Sequence, residues 1–147
     1  MGHIEAYGNL NASPQSLWAV LIHPYSWREW FALHDKWMKE PPAVVKQGAR
    51  LTEKVVVLNM ANKIEWTVVS LEARSHLLLV GTGMAAVRAQ LRFTIEPGVA
   101  GSRFTVTADF KGALIDDALG KAIELDGLRQ LEKSLDRLNA LVSAPVR

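Results

Sequence analysis

The strongest pattern along the chain is an alternation of apolar and polar positions. Val87, Ala89, Leu91, Phe93 and Ile95 alternate with Arg88, Gln90, Arg92 and Thr94, and Phe104, Val106, Ala108 and Phe110 alternate with Arg103, Thr105, Thr107 and Asp109. A period of two marks strands with one dry and one wet face, and Pro97-Gly98 between them supplies the turn of a hairpin. Leu51–Leu58 and Lys63–Leu71, rich in Val, Ile, Thr and Trp, read as two further strands joined by a turn at Asn59-Met60-Ala61-Asn62. Leu77–Val80 continues the sheet until Gly81-Thr82-Gly83 breaks it. Ile4–Leu10 alternates loosely as a first strand. Ser13-Pro14 then opens a short helix, with the Ser hydroxyl as N-cap and Pro where no amide partner is missed. His23-Pro24 ends it, because the residue before proline is pushed out of the helical region. Tyr25–Phe31 reads as a second short helix.

From Ile115 to about Val142 the pattern turns helical, but the apolar stripe changes sides. Ile115, Ala118, Leu119, Ala122 and Leu125 centre on one face, and Leu128, Leu131, Leu135, Leu138 and Val142 on nearly the opposite one. One helix cannot lay both stripes on one sheet, so a break near Asp126-Gly127 is the expected solution. The alternative is a straight helix resting on the Leu128–Val142 stripe, which would turn Glu124 toward the interior. The element order predicts an α+β fold, a curved antiparallel sheet of about seven strands covered by one long C-terminal helix, with two short helices after the first strand.

Composition narrows the function without naming it. A chain of 147 residues, 49% hydrophobic and 22% charged, fits one globular domain covering residues 1–147. Its net charge of +2 is small and its basic residues are scattered, which argues against nucleic acid despite a pI near 9.0. The absence of Cys excludes disulfides and thiolate chemistry. No stretch approaches the length of apolar sequence that crosses a bilayer, and Met1–Asn11 is too short and polar for a secretory leader, so a soluble cytoplasmic protein is expected.

The candidate chemistry is sparse. His34-Asp35, between Trp30 and Trp37, could supply a general base, although a surface-loop histidine is the plainer reading. The other histidines lack paired spacing, so neither a metal nor another cofactor is expected. No serine stands in a nucleophile elbow, and Gly81-Thr82-Gly83 lacks the rest of a phosphate loop, so no catalytic residue is assigned. Trp30, Trp37 and Trp66, among five tryptophans, suit the wall of an apolar pocket. The inward row Leu91, Phe93, Phe104, Val106 and Phe110 would continue that wall. His34, Leu119 and Glu124 complete the candidate pocket set.

The segment Ala12-Ser13-Pro14-Gln15-Ser16-Leu17-Trp18-Ala19-Val20-Leu21, followed by Trp27 and Trp30, resembles the opening of START/SRPBCC helix-grip proteins, a superfamily that includes polyketide cyclase/dehydrase-like members. Arg28-Glu29-Trp30, His34, Trp37 and Asn62-Lys63-Ile64-Glu65-Trp66-Thr67 are similar to an actinobacterial SRPBCC branch known as toxins of type II toxin–antitoxin pairs. The resemblance implies a helix-grip fold with an internal cavity for lipids, polyketides or other apolar molecules, and it brings no invariant catalytic set. The leading expectation is a non-catalytic binder or carrier of a small apolar ligand. The alternatives are a toxin acting through protein interaction and a polyketide cyclase or dehydratase. Stable membrane insertion is not expected, while a homodimer or an antitoxin partner remains open.

Overall fold

The computed structural model describes residues 2–143. Strand β1 (Gly2–Leu10) is followed by α1 (Pro14–Leu21), a 3-10 turn at Pro24–Ser26, and α2 (Trp27–Trp30). The remaining strands are β2 (His34–Trp37), β3 (Arg50–Val57), β4 (Met60–Glu72), β5 (His76–Thr82), β6 (Arg88–Pro97) and β7 (Ser102–Lys111), and helix α3 (Asp117–Val142) follows. The seven strands form one antiparallel sheet in the order β1-β7-β6-β5-β4-β3-β2. Its register shifts between Val68 and Ser70 in β4 and between His34 and Lys36 in β2. Such irregularities bend strands and help the sheet curl into a half-barrel around α3.

Local chemistry accounts for the element ends. Ser13 Oγ accepts a hydrogen bond from the Ser16 N–H at 3.1 Å and caps α1, and Asp116 Oδ1 accepts one from the Leu119 N–H at 2.8 Å and caps α3. The β3–β4 connection is tighter than the expected turn at 59–62, since Val57 already pairs with Met60. Leu58 and Asn59 alone turn the chain, both at positive φ (53° and 58°). Asn tolerates this region, whereas Leu is disfavoured there by about 1–2 kcal/mol. Its N–H donates to Asp126 Oδ2 at 2.8 Å, which helps hold the turn. β4 therefore starts earlier than expected and carries Asn62 into the sheet. β5 runs through Gly81 rather than breaking there. A Cβ on Gly81 would stand 2.7 Å from the Trp66 ring, so glycine is needed inside the strand for close packing. β2, expected as loop, pairs with β3.

α3 is a regular helix through Gly127, so the expected break does not occur. The helix is straight and rests on the second of the two stripes: Leu131, Leu135 and Leu138 are buried, and Leu128 and Val142 pack against the core. The fully buried positions are Gly120, Gly127, Leu131, Ser134, Leu135 and Leu138, so two glycines extend the same face toward the N-terminal half. Gly127 is a contact point: a Cβ there would lie 2.4 Å from Ile4 Cδ1, so its absence lets α3 settle onto β1. Interior glycine costs a helix about 1 kcal/mol. Four side chains of α3 also accept main-chain N–H bonds from other segments. Glu124 takes His3 at 2.8 Å, Asp126 takes Leu58 at 2.8 Å, Ser134 takes Ala32 at 2.8 Å and Asn139 takes Asn11 at 2.9 Å.

The interior divides into two ends. Around α2 and the C-terminal half of α3 the core is solid and aromatic. Trp27, Trp30, Phe93 and Phe104 are fully buried, with Phe93 and Phe104 stacked at 5.9 Å and Trp27 edge-on to Phe93 at 5.6 Å. Such pairs contribute about 0.5–1.5 kcal/mol each beyond burial. Under the N-terminal half of α3 the interior is hollow.

Candidate functional site: an apolar cavity under the long helix

The hollow follows from side-chain size. One inward row crosses the sheet as Trp66, Gly81, Ala89 and Phe110, large at the sides and small in the middle. The next row includes Leu91 and Ala108, and α3 contributes Gly127 above. The resulting cavity measures about 370 Å³ and is lined mainly by apolar residues, among them Ile4, Ile64, Trp66, Leu91, Phe110 and Leu119. Its rim includes Met60, Met84 and Leu114, which are exposed. Between Gly83 and Val87 the rim turns through Ala85 and Ala86, both at positive φ (55° and 59°). A wider concavity of about 560 Å³ bears Glu65, Thr82, Arg88 and Lys111, charged or polar side chains unlike those of the cavity wall.

Of the residues expected at the pocket, Trp66, Leu91, Phe110 and Leu119 line this cavity. Trp30, Phe93, Phe104 and Val106 lie in the solid end of the core, completely shielded. Their alternation identified the inward face but could not tell which end of it stays empty. The Trp30 indole N–H is buried without an acceptor among the described residues. Trp37 stands outside the cavity, donating to the Pro24 carbonyl at 2.9 Å and packing on His34 at 4.7 Å between ring centroids. Glu124 does not enter the cavity. It lies three residues from Gly127, about 60° around the helix, and its carboxylate binds the His3 N–H beside β1.

His34 is not a surface residue. Its side chain is 1% exposed and its Nδ1 lies 2.5 Å from Glu53 Oε2, while Asp35 pairs with Lys54 at 3.3 Å. Glu53 is itself fully buried, and its Oε1 accepts the Trp66 indole N–H at 2.9 Å. A buried carboxylate is tolerable only when paired and hydrogen-bonded, and these two partners provide that. The network sits outside the cavity lining and fixes the Trp66 ring that faces it. Sequence reading missed Glu53, although one signal was present: it shares the inward face with Leu51, Val55 and Val57 in an alternating strand.

A second histidine pair lies at the surface. His3 Nδ1 stands 2.6 Å from Asp109 Oδ1, and this hydrogen bond raises the imidazole pKa above its ordinary 6.5 against the opposing effect of burial. A raised folded-state value means that the stabilisation is complete below about pH 6.5 and fades as pH rises through the folded pKa. The ring is 55% exposed, so solvent screening holds the gain to about 0.5 kcal/mol or less. Wild type should exceed His3→Ala in melting temperature by about a degree at pH 5.5 and by less at pH 8.5. A difference that grows with pH would contradict this assignment.

Among the described residues, no group of three His, Asp or Glu side chains is arranged to hold a metal ion, and no helix is long and apolar enough to cross a membrane.

Comparison with known proteins supplies the lineage. The chain is 23% identical to the uncharacterized protein Rv1546 of Mycobacterium tuberculosis over 141 residues, covering 96% of this chain and 99% of that one. It is 26% identical to Toxin Rv0910 of the same organism over 110 residues, covering 75% and 76% of the two chains. Among solved structures, the Zhui aromatase/cyclase from Streptomyces sp. R1128 superposes with a TM-score of 0.80 at 16% identity, covering 99% of this chain and 95% of that one. The protein CV1439 from Chromobacterium violaceum superposes with a TM-score of 0.76 at 13% identity, covering 99% and 100%. At such identities the structural likeness speaks for the fold alone. The model of the family described as polyketide cyclase / dehydrase and lipid transport matches residues 1–143, and the chain belongs to that family.

Proposed function

We propose that this protein binds a small, predominantly apolar molecule in the cavity under α3. The carrying observation is the cavity itself, about 370 Å³ of space bounded mainly by apolar side chains beside a core of fully buried aromatic rings. Ligand pockets run from about 300 to 1,000 Å³, so this one suits a compact ring system or a single short chain. The family description, which joins cyclase/dehydrase with lipid transport, supports the same chemistry. A catalytic role draws less support, because the buried His34–Glu53 pair is bonded internally and lies outside the lining.

The test is titration with a neutral apolar dye such as N-phenyl-1-naphthylamine. Wild type should bind one equivalent saturably and perturb Trp66 fluorescence. Ala108→Phe would place a ring inside the cavity and should weaken binding at least about tenfold while leaving the melting temperature unchanged or higher. A wild-type titration without a saturable component would remove this reading.

A second reading, a toxin whose partner is an antitoxin, is favoured by the relative named Toxin Rv0910. Growth arrest on expression, relieved by coexpression of an adjacent gene, would support it. Unimpaired growth at high expression would oppose it.

A further inference from the structure

We infer that Asn62 is the hydrogen-bonding anchor of the cavity, and that the ligand therefore carries one neutral hydrogen-bonding group, a hydroxyl, carbonyl or amide, on an apolar body. This inference rests on the binding reading above and specifies its ligand. β4 points Met60, Asn62, Ile64 and Trp66 to the inner face of the sheet, and Asn62 lies opposite Val55 of β3. All five residues line the cavity. Asn62 thus interrupts a patch of apolar wall with a carboxamide, in a strand position where Asn is disfavoured.

The inner faces of β3 and β4 carry another polar side chain, and the contrast is informative. Glu53 is satisfied inside the protein by His34 and Trp66. The Asn62 side chain is half-buried, has no protein partner among the described residues and borders the cavity. Water can reach this half-buried carboxamide while the cavity is empty, and a ligand that displaces the water forfeits a hydrogen bond unless it offers one in return. A carboxamide offers both a donor and an acceptor, so it can meet a hydroxyl, a carbonyl or an amide equally well.

Charge on the ligand is disfavoured at this place. Glu53 is engaged by His34, and Asp109 turns to His3 on the other face of the sheet. Asp126, which binds the Leu58 N–H at the same hairpin, would repel an anion. Among the described residues, no cation lines the cavity to compensate a carboxylate or phosphate.

The experiment compares naphthalene with 2-naphthol, which differ by one hydroxyl, and adds 2-naphthoate as the anionic arm. Calorimetric titrations would use wild type, Asn62→Leu, and Asn62→Val as a second variant better suited to a strand. Wild type should bind 2-naphthol about 5–10-fold more tightly than naphthalene, the size expected of one neutral hydrogen bond, and should bind 2-naphthoate more weakly than 2-naphthol. Either variant should lose the preference for 2-naphthol while binding naphthalene as tightly as before or more so. If naphthalene binds but wild type shows no preference, or the variants keep it, the anchor is refuted and the binding reading survives. Tighter binding of 2-naphthoate than of 2-naphthol would overturn the neutral-ligand assignment. Absence of saturable binding by all three probes would overturn both.

Discussion

Glu53→Ala should destabilise the protein by about 3–5 kcal/mol, the range for removing one partner of a fully buried, hydrogen-bonded polar pair. The carboxylate is fully buried and holds both the His34 imidazole and the Trp66 indole, so its loss leaves two shielded donors unpaired. For a chain of this size the melting temperature should fall by about 10 °C or more. His34→Phe alone should be costly too, because Glu53 then keeps only the Trp66 N–H. The double variant Glu53→Leu/His34→Phe should recover much of the loss, since apolar replacement of a whole buried pair is often near neutral. Denaturation of the two single variants and the double one forms a cycle that measures the coupling directly. Single losses below about 1 kcal/mol that simply add would show that the pair is not coupled as its geometry indicates.

Trp27→Ala should produce a comparable loss, about 3–5 kcal/mol, through a different cause. Trp27 is 0% exposed and packs against Trp30, Phe31, Trp37 and Phe93, with centroid separations between 5.3 and 6.2 Å. Its indole N–H also donates to the Leu21 carbonyl at 2.9 Å, tying α2 to the end of α1. Truncation leaves a large void in the solid end of the core, where neighbouring rings on separate elements cannot collapse together. The midpoint of chemical denaturation should fall with little change in its slope. Dye affinity of the still-folded protein should hardly change, because Trp27 does not line the cavity. A loss under 2 kcal/mol, or a large change in affinity, would contradict the division of the interior into a solid end and a hollow one.

Where a single physical rule governs an element, the sequence could be read directly. The β6–β7 hairpin follows from alternation around Pro97-Gly98, and α1 from Ser13-Pro14. What stayed hidden depends on two distant segments meeting. Gly127 looks like a helix breaker until Ile4 is placed beneath it; the Leu128–Val142 stripe does pack on the core, but the helix stays straight and Glu124 turns to His3 rather than inward. Alternation places Glu53 on the inward face of β3, but the partner that makes a carboxylate tolerable there, His34, comes from β2, a strand too short to show a period. Leu58-Asn59 lacks the glycine that usually announces a two-residue turn. The cavity shares this difficulty. Trp66, Leu91, Phe110 and Leu119 could be named from their faces, but the hollow arises from Gly81, Ala89 and Ala108 lying side by side on neighbouring strands. Small residues leave little mark on a hydrophobic pattern.

The hydrogen bonds from β1 to α3 bear on how the protein behaves at high concentration. An open antiparallel sheet has two borders, and an unpaired border can recruit a strand from another molecule. Here one border is β1, and the main-chain N–H groups at its beginning and just past its end, His3 and Asn11, are taken by Glu124 and Asn139 of the helix. The opposite border, β2, is only four residues long and exposes Asp35 and Lys36. A curled sheet that does not close into a barrel thereby gains protection against edge-to-edge polymerisation, and self-association is directed to side-chain surfaces instead.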